Sequence, residues 1–209
     1  FNIFLIGSKR SNNTIKEINN KYPNVKTVLI VKDFRQSFEK KFFDEIEEKI
    51  NELNGNISIL VNNVGHRTGW NPYHEMPRQL INDTIAVGTI VQSQLIRICI
   101  PHFLKRKSKS CIINITAQCI HPTYGLGAIL SNQISIPYLS VYEASNAYGH
   151  YHANSIMKEY EKYKNKIDIL NIMPGAVLTE NTSFLKNTMF VINVDDFVNN
   201  IMKLIGNFY

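Results

Sequence analysis

Five short runs of apolar, largely β-branched residues, at 1–7, 25–31, 57–64, 111–116 and 167–173, alternate with stretches of helical periodicity. No other feature of the chain limits its fold so strongly. A half-buried strand alternates apolar and polar residues, whereas a continuous apolar run needs cover on both faces. Strands of that kind separated by helices call for a parallel sheet between two helical layers, because parallel neighbours must be joined by crossovers. The expected fold is α/β, a doubly wound parallel sheet, in a single domain over residues 1–209. Sheets of this type bind ligands at the carboxyl ends of their strands, near a topological switch point.

The helices are marked by their ends. Ser11-Asn12-Asn13 offers an N-cap for a short helix that reaches Lys21 and stops at Pro23. Within 36–53, Phe38, Phe42, Ile46 and Ile50 fall four apart and Asn54-Gly55 follows, an amphipathic helix with a glycine stop. A helix over 80–107 ends in Lys105, Arg106, Lys107 and Lys109, cations that suit the negative end of the helix dipole. Helices at 142–163 and 194–205 follow the fourth and fifth strands. Residues 117–141 break the rhythm: with Pro122, Gly125, Gly127 and Pro137 they read as a long loop able to cover a pocket or dock a partner.

Composition narrows the class. A chain of 209 residues, 44% apolar and 19% charged, can bury a real core and is neither disordered nor a coiled coil. No stretch approaches the roughly 18 uninterrupted apolar residues of a membrane span. The net charge of +6 is spread along the chain, which reads as solubility rather than a nucleic-acid footprint. Cys99, Cys111 and Cys119 are odd in number and scattered, which points to a reducing compartment. They show no metal-ligand spacing, so no metal site is expected. The chain opens on Phe1 rather than Met, which reads as a start inside a longer product; mitochondrion and endoplasmic reticulum both stay open as locations.

Four segments, in order, resemble the short-chain dehydrogenase/reductase family. Leu60-Val61-Asn62-Asn63-Val64-Gly65 looks like its Asn-Asn-x-Gly segment, and Ile112-Ile113-Asn114-Ile115-Thr116 like the next core strand. Tyr142-Glu143-Ala144-Ser145-Asn146 resembles its Tyr-x-x-x-Lys motif, and Pro174-Gly175-Ala176-Val177-Leu178-Thr179 its Pro-Gly-x-Val-x-Thr. Asp33 sits where the family places an adenine-contacting Asp. The Asn-Asn-Val-Gly variant and Ile100-Pro101-His102-Phe103-Leu104-Lys105-Arg106 lean toward the hydroxysteroid dehydrogenase and very-long-chain 3-oxoacyl-CoA reductase branch. The resemblance implies a Rossmann-like fold, NADP(H) or NAD(H) if binding is retained, and coenzyme contacts at Asp33, Asn62, Gly65, Pro174, Gly175, Val177 and Thr179.

Active members of the family pass a hydride between nicotinamide and a carbonyl carbon while Tyr handles the proton. A phenol titrates near ~10, too high for efficient acid–base work at neutral pH. In the family a Lys one helical turn on lowers it. Here the Tyr is kept as Tyr142, but Asn146 replaces the Lys and brings no charge. The hydroxyl that polarises the carbonyl aligns with Ala117, a loss worth ~10²–10³ in rate; Thr116, Ser131 and Ser140 are possible stand-ins. The stretch matching the family's Asn-bearing helix reads Ala86-Val87-Gly88-Thr89. The family's opening strand and glycine-rich, pyrophosphate-cradling turn have no match, because residues 1–7 align as its second strand. Lys9 and Arg10 after that strand suit a solvated strand end or an adenosine 2′-phosphate.

His121, His150 and His152 are candidate substitute bases, though no carboxylate at helical spacing supports them. Trp70, Pro72, Tyr73 and His74 form an aromatic loop that suits a substrate mouth or ordinary packing. Three functional classes follow. The favoured expectation is a degenerate, non-catalytic member serving as an accessory subunit among other protein subunits, with no coenzyme and no nucleic acid. The alternatives are an NADP(H)-dependent reductase of 3-oxoacyl-CoA or steroid-like ketones, and a dinucleotide-binding sensor without turnover.

Overall fold

The structure, a computed structural model, describes residues 2–8, 11–52, 55–66, 68–117, 137–179, 182 and 191–205. In chain order the elements are β1 (Asn2–Gly7), α1 (Ser11–Lys21), β2 (Lys26–Val31), α2 (Phe42–Glu52) and β3 (Ile59–Asn62). They continue with α3 (Arg78–Ile85), a π-helical turn at Ala86–Ile90, α4 (Val91–Lys105), β4 (Ser110–Ile115), α5 (Ser140–Glu159) and β5 (Ile167–Ile172). The last are β6 (Ala176–Leu178), β7 (Val191–Asn193) and α6 (Val194–Leu204).

Every described strand pair is parallel, as the continuous apolar runs require. The expected single sheet is nevertheless interrupted. Among the described residues β1 pairs with β2, β3-β4-β5 form a second group, and β6 with β7 a third. The break between β1 and β3 falls where the family alignment has residues 1–7 as a second rather than a first strand. The two larger groups still share one core. Phe42, Ile46 and Ile50 of α2 and the buried face of α4, including Leu95, Ile96 and the fully buried Phe103, pack against Ile30 of β2 and Ile112 of β4. Phe4, Ile6, Leu60 and Ile169 close on the same cluster from the strands.

The four-residue spacing in α2 buries Phe42, Ile46 and Ile50, with Asp44 and Glu45 at its start and Lys49 near its end, as the dipole favours. It begins later than residue 36, because residues 34–36 form a separate 3-10 turn capped by Asp33 and Phe38 is left 61% exposed. Gly55 ends the helix at φ 61°, its N–H donating to the Ile50 carbonyl at 3.0 Å. By length and composition, residues 78–105 could cross a membrane, yet more than half of the apolar stretch is buried in the core. Of the expected loop at 117–141, residues 118–136 lie outside the described residues, and α5 starts earlier than expected, at Ser140.

Candidate functional site

Parallel strands bring their carboxyl ends to one edge, and there the sheet carries Asn62, Asn114 and Asn171 in register across β3, β4 and β5. Asn62 donates to Asn114 Oδ1 at 2.8 Å. Above them lies a small pocket of about 30 Å³ lined by Asn62, Gly65, His66, Gly88, Gln92, Thr116, Tyr142, Ser145 and Asn146. That is room for a water or two, at ~10–15 Å³ each. The fold thus brings together Asn62, Gly65, Thr116, Tyr142 and Asn146, as their motif positions imply.

Among the described residues, neither Lys nor Arg lines this pocket. Asn146 lies one helical turn after Tyr142 on α5, and its carboxamide donates back to the Tyr142 carbonyl at 2.9 Å. It therefore satisfies the helix rather than charging the phenol's surroundings. Thr116 binds the end of β5: its N–H donates to the Ile172 carbonyl at 2.9 Å, with the hydroxyl 3.4 Å from the same oxygen. Ala117 follows with a methyl group only, and Ser140 is exposed at the start of α5, outside the pocket lining. Ser131, His121, Lys9 and Arg10 lie outside the described residues.

Gly88 sits in the π-helical turn, and a Cβ added there would meet Ser145 Cβ and Oγ at 2.8 Å. No side chain fits at that point while Ser145 stands opposite. Gln92, one turn on and almost fully buried, donates to the Gly88 carbonyl at 2.6 Å and lies over Gly149, where a Cβ would meet its amide at 2.9 Å. Gln92, Ser145 and His66 were not singled out by motif. The available signals were a glutamine on an apolar helix face and a histidine directly after Gly65.

The coenzyme positions are spread over the same edge. Arg35 grips the Asp33 carboxylate through Nε at 2.9 and 3.0 Å, and that guanidinium holds its carboxyl below the usual range. Pro174 and Gly175 follow β5, and Val177 lies within β6, with its carbonyl accepting from Thr182 at 2.6 Å. Thr179 is also bound to Thr182, through its N–H at 2.7 Å and its hydroxyl at 2.9 Å. A Cβ at Gly65 would meet nothing within 4 Å, so no close cradle forms there. The 209 residues contain no Gly-x-x-x-Gly-x-Gly turn for a pyrophosphate. Among these positions the Asp33 and Thr179 side chains are engaged by Arg35 and Thr182, while Asn62 Oδ1 is buried with no hydrogen-bond partner among the described residues.

Of the candidate bases, His150 and His152 do not line the small pocket. His150 is held between Asn171 Nδ2, 2.6 Å from its Nδ1, and Asn154 Nδ2, 3.0 Å from its Nε2. It opens onto a groove of about 840 Å³ along β5, lined also by Cys111, Met157 and Leu204, rather than onto Tyr142. His152 stacks on Tyr148 with ring centroids 5.3 Å apart, and burial lowers its pKa. Trp70, Tyr73 and His74 are exposed and do not line the small pocket.

Comparison with known proteins agrees with this fold. The chain is 28% identical to a very-long-chain 3-oxoacyl-CoA reductase of Rattus norvegicus over 206 residues, 94% of this chain and 59% of that one. It is 28% identical to the Anas platyrhynchos protein of the same name over 174 residues, 81% of this chain and 49% of that one. The chain thus spans about half to three fifths of the curated relatives it matches. In structure it resembles a short-chain dehydrogenase from Sphingobium yanoikuyae in complex with NADPH, with a TM-score of 0.75, 18% identity, and coverage of 97% of this chain and 73% of that one. The family model described as short chain dehydrogenase matches residues 2–189, and the chain belongs to that family.

Proposed function

We propose that this chain keeps the family's fold without its hydride transfer and serves as a structural, accessory subunit beside other proteins. The observation that carries the reading is the Asn146 carboxamide, turned onto the Tyr142 carbonyl where the family resemblance calls for an ammonium. Unit charges about 4 Å apart interact by up to ~4 kcal/mol at an effective dielectric of ~20, and a neutral amide supplies none of that to a phenol titrating near ~10. Ala117 in place of the polarising Ser and Gly88 against Ser145 weaken the same relay at two further points. Scattered cysteines support a reducing compartment, and the mitochondrion is the location proposed for such an assembly.

A second reading is an NADP(H)-dependent reductase of 3-oxoacyl-CoA or steroid-like ketones. It is favoured by the names of the rat and duck relatives and by the NADPH in the Sphingobium structure. The two separate on turnover. Incubated with NADPH or NADH and a 3-oxoacyl-CoA, the purified protein is expected to consume no coenzyme above background. Asn146→Lys with Ala117→Ser is expected not to restore activity, since the stretch Ala86-Val87-Gly88-Thr89 still lacks the Asn that the family resemblance calls for. Robust turnover by the unmutated protein overturns the accessory reading and leaves the reductase.

A further inference from the structure

The amino ends of β4 and β5, at the pole opposite the Tyr142 pocket, gather charge of one sign. Residues 105–110 lead from α4 into β4, and residues 158–168 lead from α5 into β5. Together they carry eight Lys and Arg against three carboxylates, Glu159, Glu161 and Asp168. Far apart in sequence, the two segments form one surface. The Ser110 N–H donates to the Lys166 carbonyl at 2.8 Å, and Lys166 Nζ donates to the Arg106 carbonyl at 2.6 Å.

Helix ends explain little of this charge. The C-termini of α4 and α5 each present about half a negative charge, so the two together offset about one cation. Internal bonds explain more. Arg106 donates to Asn56 Oδ1 at 2.6 Å and to Ser108 Oγ at 2.8 Å, and Lys109 pairs with Asp168 at 2.9 Å. Lys162 lies over the Tyr163 ring, 5.0 Å from its centroid. Lys105, Lys107, Lys158 and Lys164 remain. All four are exposed, and none forms an ion pair among the described residues. Like charges held on one surface repel one another, and an oppositely charged partner relieves that repulsion.

The chemistry of the surface narrows the partner. Its exposed, unpaired cations are all Lys, point charges without the planar fork by which Arg grips a phosphate. Tyr160 and Tyr163 are half-buried and packed together with centroids 6.0 Å apart, which leaves no free ring for a nucleic-acid base. Within the two segments no large hydrophobic side chain is exposed, so nothing here enters a lipid layer. Pairing with carboxylates is what the surface can do. We propose that Lys105, Lys107, Lys158 and Lys164 form a docking surface for an acidic segment of another protein, a run of Asp and Glu side chains. The proposal stands whether or not the chain transfers hydride, because the Tyr142 pocket lies at the carboxyl edge of the same strands.

The test titrates the purified protein with a fluorescein-labelled peptide of ten glutamates, read by anisotropy at low and high salt. Saturable binding is expected, weaker at high salt because exposed charges are screened. Lys105→Glu with Lys107→Glu and Lys164→Glu is expected to weaken it about tenfold or more. The milder set Lys105→Gln, Lys107→Gln and Lys164→Gln removes charge without adding repulsion and is expected to weaken it in the same direction. Lys16→Glu with Lys40→Glu and Lys41→Glu makes the same change in net charge on α1 and ahead of α2, and is expected to change affinity less than about twofold. Equal losses from the two charge-reversed variants overturn the proposal, since net charge alone would then govern binding. So does an absence of saturable binding to the unmutated protein. Phosphatidylserine vesicles and a single-stranded RNA are tested beside the peptide. If either binds more tightly than the peptide and is lost in the Lys105, Lys107 and Lys164 variant, the surface serves lipid or nucleic acid and the proposal falls.

Discussion

His152 shows how one side chain can tie stability to pH without belonging to a reaction. Its ring is stacked on Tyr148, whose hydroxyl meets Ser93 Oγ at 2.8 Å, and its Nδ1 is buried with no hydrogen-bond partner among the described residues. Burial disfavours the charged ring, so its pKa in the folded protein is lowered. The sign follows: an unfolded histidine takes up its proton near ~6.5, whereas the folded one resists until lower pH. Below ~6.5 the unfolded state binds more protons and stability falls, until the pH has passed the folded pKa. Asp33 acts in a separate, more acidic window. Arg35 lowers its pKa, so its modest, part-exposed contribution is present at neutral pH and is lost only as pH falls through the carboxylate range. Urea midpoints measured between pH 7.5 and 5.5 should therefore drop in the unmutated protein. In His152→Phe, which keeps an aromatic ring against Tyr148 and removes the titration, they should drop less. An identical drop in both would remove His152 from this account.

The π-helical turn between α3 and α4 is the element that brings Gly88 into this site. Its Gly88 faces Ser145 of α5 so closely that a Cβ would lie 2.8 Å from both Cβ and Oγ. Introducing an asparagine by Gly88→Asn should cost about 1–3 kcal/mol, the usual penalty for forcing volume into a packed interface. Adding Ser145→Gly should return part of it, with a coupling of about 0.5–3 kcal/mol in a double-mutant cycle read from urea unfolding. Strict additivity would show that the two helices give way independently. This element also marks where sequence reasoning ran out. The end of α2 was legible, because Phe42, Ile46 and Ile50 fix the buried stripe and Gly55 alone suits the following φ of 61°. The parallel strands were legible because runs such as Cys111-Ile112-Ile113 have no polar face. The π-helical turn was not, since it depends on two small residues 57 positions apart in sequence, 88 and 145, meeting in space. Likewise β6 and β7, three residues each, are too short for any periodicity to announce them.

At the scale of the molecule, the arrangement of the strand ends and the side chains placed there have different origins. The edge that gathers Asn62, Gly65, Thr116, Tyr142 and Asn146 is laid down by strand direction and register, and it forms whatever the side chains can do. Binding a dinucleotide asks for more: free acceptors and donors along the edge, where Asp33 is held by Arg35, Thr179 by Thr182, and Asn146 by its own helix. A ligand that binds only the folded state raises its stability by mass action, ~2.7 kcal/mol at one hundred times its dissociation constant. For a chain of this size that is a melting shift of roughly 5–11 °C. The purified protein should therefore melt within about 1 °C of its own value when 1 mM NADPH or NADH is added. A saturable upward shift with either nucleotide would mean that these internal bonds open to admit it. If that shift came without turnover, the chain would be a dinucleotide-holding member of its family; with turnover, it would be a reductase.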